Sequence, residues 1–257
     1  MLRRILFTTA MAFAVLANTA IAGPSAKFAA TYNDDRFNVV SIADVNDCTE
    51  DCADFDSNTG FTLATIKVPQ DKELMVGVSA EIGLVTDTSI KGKEGGAARA
   101  IAGAGASVLV FAVPVEGANG TAALAAPGPV ILAARIQVLD ATLGGVLEEC
   151  TDESGEGTVT IPDECEFSDE EIGLILATLA SHHFNFVLPD MDQGEYNLIA
   201  VFTTGAFAAV DIDEASVSDG GTVSGSSYAA AMIGKSMVTV QQVRATKGGI
   251  IDADIIE

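Results

Sequence analysis

Apolar residues recur at every second position through much of the chain, in runs bounded by Gly, Pro, Asn and Asp clusters. That is the period of a half-buried strand, not of a helix. The runs predict strands at 27–32, 36–45, 60–68, 73–86, 106–115, 129–140, 183–188, 195–204 and 236–246. In ELMVGVSAEIGLV the residues Leu74, Val76, Val78, Ala80, Ile82 and Leu84 share one face. SVLVFAVPV is apolar on both faces, which places it mid-sheet or beneath another layer. One segment breaks the pattern. SDEEIGLILATLASHH opens on Ser168 with Glu171 three residues later, a capping-box spacing, and Ile172, Ile175, Leu176 and Leu179 follow at helical intervals. It predicts a short helix over 168–183, laid across the end of a sandwich. The expected fold is an all-β sandwich with this one helix and with acidic loop insertions at 44–56 and 148–171.

The N-terminus adds a destination. MLRRILFTTAMAFAVLANTAIAGPSA carries Arg3 and Arg4, an apolar run from Ile5 to Leu16 and the small-residue pattern Ala20-Ile21-Ala22. This is the build of a secretory signal peptide. Cleavage after Ala22 is expected, leaving 23–257 as a single secreted domain, extracellular or periplasmic. Loss of Arg3 and Arg4 takes 13 basic residues to 11 against 36 acids, a formal charge of −25. Such a surface repels phosphate backbones and anionic lipids, so nucleic acid is not an expected partner. The apolar stretch from Ala97 to Leu139 is interrupted at VPVEGANG and APGP, leaving runs shorter than a membrane helix needs. It reads as two buried strands and a loop, and no membrane span is expected in the mature chain.

The most specific local pattern is FNFVLPDMDQGEYNLIAVF at 184–202. Its D-x-G-x-Y, formed by Asp192, Gly194 and Tyr196, resembles the corner between the fifth and sixth strands of immunoglobulin-like domains. There a tyrosine hydroxyl bonds back to the backbone of the corner. The resemblance covers about 20 residues and implies an Ig-like or jelly-roll-type β-sandwich. Leu198 stands where antibody domains carry their second core cysteine, and the chain has no Trp, so a non-antibody type is implied.

Four cysteines lie in acidic surroundings: Cys48 and Cys52 in DCTEDCADFD, and Cys150 and Cys165 in EECTDESGEGTVTIPDEC. In an oxidising compartment they form two disulfides by one of three connectivities. Proximity favours Cys48 with Cys52 and Cys150 with Cys165. Tying one loop to the other is the long-range alternative. Asp54, Asp56 and Asn58 alternate in DFDSNTG as the first ligands of a calcium loop do. Thr59 and Thr65 stand where the turn glycine and the final Glu of that template belong. A solvated acidic loop is the competing reading, and it also suits the acids of 148–171, whose spacing matches no ligand template.

Catalytic signatures are sparse. His182 and His183, the only histidines, are adjacent, without an H-E-x-x-H or Cys/His spacing around them. GTVSGSS near Ser224 lacks the spacing of a nucleophile elbow and reads as a flexible turn. GAGAS at 103–107 lacks the rest of a phosphate-binding loop. No cofactor is expected beyond calcium. The expected function is a secreted, non-catalytic structural or interaction protein, a filament or surface-layer subunit that associates with itself or with a cell-surface or extracellular protein. A calcium-dependent adhesin or glycan-binding module, or a secreted hydrolase, is the alternative. GPSAKFAATYNDDRF, after the signal, forms either the monomer's first strand or one exchanged between copies.

Overall fold

A computed structural model describes residues 28–35, 37–44, 53–57, 61–68, 72–93, 95–144, 146–150, 165–217 and 221–243. The expected signal peptide, Cys48, Cys52 and Asn58 lie outside the described residues. Among the described residues thirteen strands follow in chain order: β1 (Phe28–Asn33), β2 (Phe37–Asp44), β3 (Ala53–Ser57), β4 (Phe61–Val68), β5 (Lys72–Lys93), β6 (Ala97–Pro114), β7 (Ala123–Leu124), β8 (Val130–Thr142), β9 (Val146–Cys150), β10 (Cys165–Ser168), β11 (Glu170–Met191), β12 (Gly194–Asp213) and β13 (Thr222–Val243). Two antiparallel sheets face each other. The first runs β1-β13-β5-β11, with β2 also on β13. The second runs β3-β12-β6-β7, with β4 on β12 and β8 on β6. A separate hairpin, β9–β10, lies between β8 and β11 in the chain and so connects one sheet to the other.

The expected sandwich is present, and its framework strands β5, β6, β11, β12 and β13, of 18 to 22 residues, are far longer than the usual five or six. β5, β11 and β13 each run 22 residues, which at about 3.4 Å per residue is roughly 70 Å. All six residues of the apolar face read in β5, Leu74 to Leu84, are buried, none more than 5 % exposed. β6 is central in its sheet. Its even-numbered residues from Ala98 to Ala112 enter the core, while Leu109 and Phe111 turn half-buried to the outside. The segment from Ala97 to Leu139 thus holds β6 and most of β8, joined by a loop that carries β7.

The core is graded in size. One part holds Phe186, Leu188, Tyr196, Leu198, Phe202 and Ile66. Elsewhere Ala102, Ala104, Ala206, Ala208, Ala229 and Ala231 line it, and small side chains let polar groups bond from sheet to sheet. Ser227 Oγ donates to the Ile101 carbonyl, and Thr86 Oγ1 donates to Gln137 Oε1 at 2.8 Å.

Three expectations are corrected. Residues 168–183 form no helix: from Glu170 to Leu188 the segment pairs with β5 without a register shift. A partner strand of 22 residues supplies a hydrogen bond for every second residue, and that tertiary ladder overrides the local capping and spacing signals. The only helical turn described is a 3₁₀ turn at Glu214–Ser216. Residues 53–57, read as loop, form β3 against β12, and GTVSGSS, from its Thr222 on, lies in β13 instead of a turn. Its small residues sit where the sheets approach closely, as the Ser227 bond shows.

The graded core predicts opposite penalties. Phe186→Ala should lower the unfolding free energy by about 3–5 kcal/mol by opening a cavity. Ala208→Leu should cost about 1–3 kcal/mol by overfilling the narrow part. Denaturant titration with unchanged m-values checks both.

Candidate functional site

The corner read from the sequence takes its shape from three segments. β11 ends in a register shift between Leu188 and Met191, where Asp190 adopts φ 48°. Asp tolerates that left-handed conformation better than most residues. After Asp192 and Gln193 the chain turns back as β12, and the Tyr196 hydroxyl donates to the Asp192 carbonyl at 3.2 Å. The loop after β6 closes over it. Thr121 Oγ1 reaches Asp192 Oδ2 at 3.3 Å, and a Cβ on Gly120 (φ 125°) would fall 2.1 Å from the Tyr196 hydroxyl oxygen. Burial pushes the Tyr196 phenol up, the Asp192 charge adds to the rise, and a backbone hydrogen bond with Thr121 opposes it. All of these groups hold the turn in place.

The other sequence candidates are scattered. Asp54 and Asp56 lie on β3, in register with Ala206 and Thr204. His182 and His183 sit in the middle of β11. His183 bonds Ser79 Oγ through Nδ1 at 2.8 Å and Asn185 Oδ1 through Nε2 at 3.1 Å. Among the described residues no three His, Cys, Asp or Glu side chains are placed to hold a metal ion. Asp34, Glu81 and Lys235 share a hollow of about 260 Å³ with Tyr32 at its rim, and Glu81 Oε2 accepts only a long contact, 3.4 Å, from the Lys235 backbone N–H. Cys150 and Cys165 are direct partners in the β9–β10 ladder. Opposed residues of an antiparallel pair have Cα atoms about 4.5–5.5 Å apart, within the span a disulfide bridges.

The most distinctive surface is the side wall where β11 and β8, the outer strands of the two sheets, run beside each other. A polar seam fixes their relative height. Gln137 of β8 accepts from Thr86 and donates to Thr88 Oγ1 at 2.8 Å and to the Leu174 carbonyl at 2.5 Å. One level on, Arg135 Nη2 donates to Thr178 Oγ1. Amides, hydroxyls and a guanidinium offer no general base here. Outside the seam the wall is apolar. Every residue from Glu171 to Leu179 is exposed, although the stretch includes Ile172, Leu174, Ile175 (68 %), Leu176 and Leu179 (61 %). On β8, Ile131 and Ile136 are about as open. Ile131 and Ile136 also border an apolar trough of about 280 Å³ on the outer face of the second sheet, floored by Gly103, Gly105 and Gly205. The Phe207 ring lies over Gly103, where any Cβ would collide with it at 2.0 Å.

Sequence reasoning found the apolar residues of β11 but assigned them to one face of a helix. A signal against that was present: Leu174 and Ala177 also lie in the run, so apolar positions spread around more of a helix than one stripe. No family model, no curated protein and no solved structure matches the chain.

Two outcomes follow for the corner and the hairpin. Tyr196→Phe should cost about 0.5–1.5 kcal/mol at neutral pH through the lost hydrogen bond. A phenol raised on folding contributes stability that is complete below its unfolded pKa and is lost as pH rises through the folded one. The wild type should therefore lose stability more steeply than Tyr196→Phe on the alkaline side of pH 10, as urea melts across pH would show. Peptide mapping of the native protein without reductant should recover the segments holding Cys150 and Cys165 as one linked species.

Proposed function

We propose that the chain is a secreted, non-catalytic structural protein that works by associating with further copies of itself. One observation carries this reading: a chain of formal charge −23 leaves its longest edge strand free of charge and exposed on both faces over Ile172–Leu179. Exposed apolar residues scattered singly are ordinary, but a contiguous set marks a contact surface. Free strand edges invite pairing with another chain, and natural sheets usually blunt them with charge, proline or bulges. The second sheet supports the same reading from the neighbouring wall, through Ile131, Ile136 and Val138 of β8.

Kinship with immunoglobulin-like sandwiches belongs to this proposal and is supported by the Asp192–Tyr196 corner. Export is supported by the N-terminal pattern, and disulfides by the cysteines and by the Cys150–Cys165 register. β1 pairs with its own β13 from Phe28 to Asn33, so strand exchange is not needed to complete the monomer. Association then falls to the opposite edge of the sheet.

Native material purified from the exported fraction tests the reading. Electron microscopy and sedimentation should show regular oligomers or longer assemblies that persist in high salt, because the contacts are apolar. Dispersed monomers at high protein concentration would overturn it.

A further inference from the structure

We propose that a second copy of the chain docks on the edge of β11, antiparallel and centred on Ile175, so that the first sheet continues through a two-fold axis into its partner. This rests on the self-associating reading above and supplies its contact surface. β11 ends its sheet. Its outer side is bridged once, where Val187 exchanges backbone hydrogen bonds with Ala126, but over Ile172–Ser181 the described residues pair it on one side only, with β5. Its other side presents backbone N–H and C=O groups at every second residue. From Ile172 to Ser181 there is no charged residue and no proline, and the ladder to β5 is unshifted, so none of the usual devices blunts this edge.

The sequence of the stretch is self-complementary. Antiparallel pairing about Ile175 sets Ile175 opposite its own copy, Leu174 opposite Leu176, Gly173 opposite Ala177 and Ile172 opposite Thr178. Glu171 then meets Leu179 and not a second Glu. Like charges directly opposed on a sheet are destabilising, and this register has none over nine residues. A strongly acidic chain can approach itself closely only where its charge is absent. A basic partner would be drawn to the acidic segments instead.

The size of the wall also suits a dimer. Nine residues span about 30 Å, and two sheet edges about 10 Å apart with their side chains give a height of about 20 Å. The result is on the order of 600 Å² per partner, close to the roughly 800 Å² of a standard interface. The Gln137 and Arg135 bonds to Leu174 and Thr178 place Ile136 between those two levels, within about one residue of Ile175. The same axis therefore carries Ile136 of β8 towards its own copy. An isologous contact of this kind closes on itself, leaving the far edge at β1 and β2 for any longer assembly.

Sedimentation velocity and cross-linking of the mature protein test this. Ile175→Cys, treated with oxidised glutathione as electron acceptor, should yield a 175–175 disulfide peptide, whereas Ala177→Cys should yield no 177–177 peptide. Ile175→Lys opposes two charges at the axis and should weaken dimerisation by roughly 100-fold or more. Ile175 is largely exposed in the monomer, so circular dichroism and melting of the dilute variant should match the wild type. Undiminished association of Ile175→Lys without a 175–175 link would overturn this interface and leave self-association standing. A monomer at every concentration would overturn both.

Discussion

The structure depends on one ladder. β5 is hydrogen-bonded on both sides along nearly its whole length, to β11 from Lys72 to Gly92 and to β13 from Glu73 to Lys93. A strand so committed has one permitted register, because a slip of one residue would turn Leu74 through Leu84 out of the core. β11 and β13 inherit that register. β12 and β6 copy the arrangement in the facing sheet, with eighteen directly opposed pairs from Tyr196 to Asp213. The polar groups between the sheets, Thr86, Thr88, Gln137 and Ser227, then lock the two layers at one relative height.

Much of this was legible in the sequence, and what was not has a physical reason. The face from Leu74 to Leu84 showed itself because it alternates with residues that meet solvent or the outer half-buried layer. The corner at Asp192–Tyr196 was legible because a tight turn restricts residue type locally. β11 was hidden, since an edge strand exposed on both faces has no reason to alternate, and its apolar residues fall at helical intervals by default. What makes it a strand lies in β5, 88 positions earlier, where Ile175 meets Asp87. β13 was half-hidden for the opposite reason. Gly225, Ser227, Ala229 and Ala231 are small because the facing sheet is close, and small residues read as a turn when the facing layer is unseen. The side wall needed both sheets to be placed, because β8 and β11 are joined through the β9–β10 hairpin and meet only in the folded chain.

Charge and apolar surface are segregated here. Just before the start of β11, Lys91 of β5 meets Asp169 at 2.9 Å; each is about half exposed. That hydrogen bond and the charge of Lys91 hold the Asp169 carboxyl below the usual carboxylate range, and Asp169 raises Lys91 in turn. Exposed pairs of this kind contribute little to stability. The adjoining run, Ile172 to Ser181, carries no charge. Under the self-association proposed above, charge repulsion would keep copies apart except along this apolar strand edge.

Concentration-dependent hydrogen exchange over a peptide spanning residues 170–181 tests this account most directly. In the monomer about half of its amides bond to β5, and the alternate ones face solvent. The account predicts that these alternate amides become protected as protein concentration rises and exchange again on dilution, while amides of β6 stay unchanged. Protection in this peptide that is the same at every concentration, in a sample shown to be assembled, would contradict it.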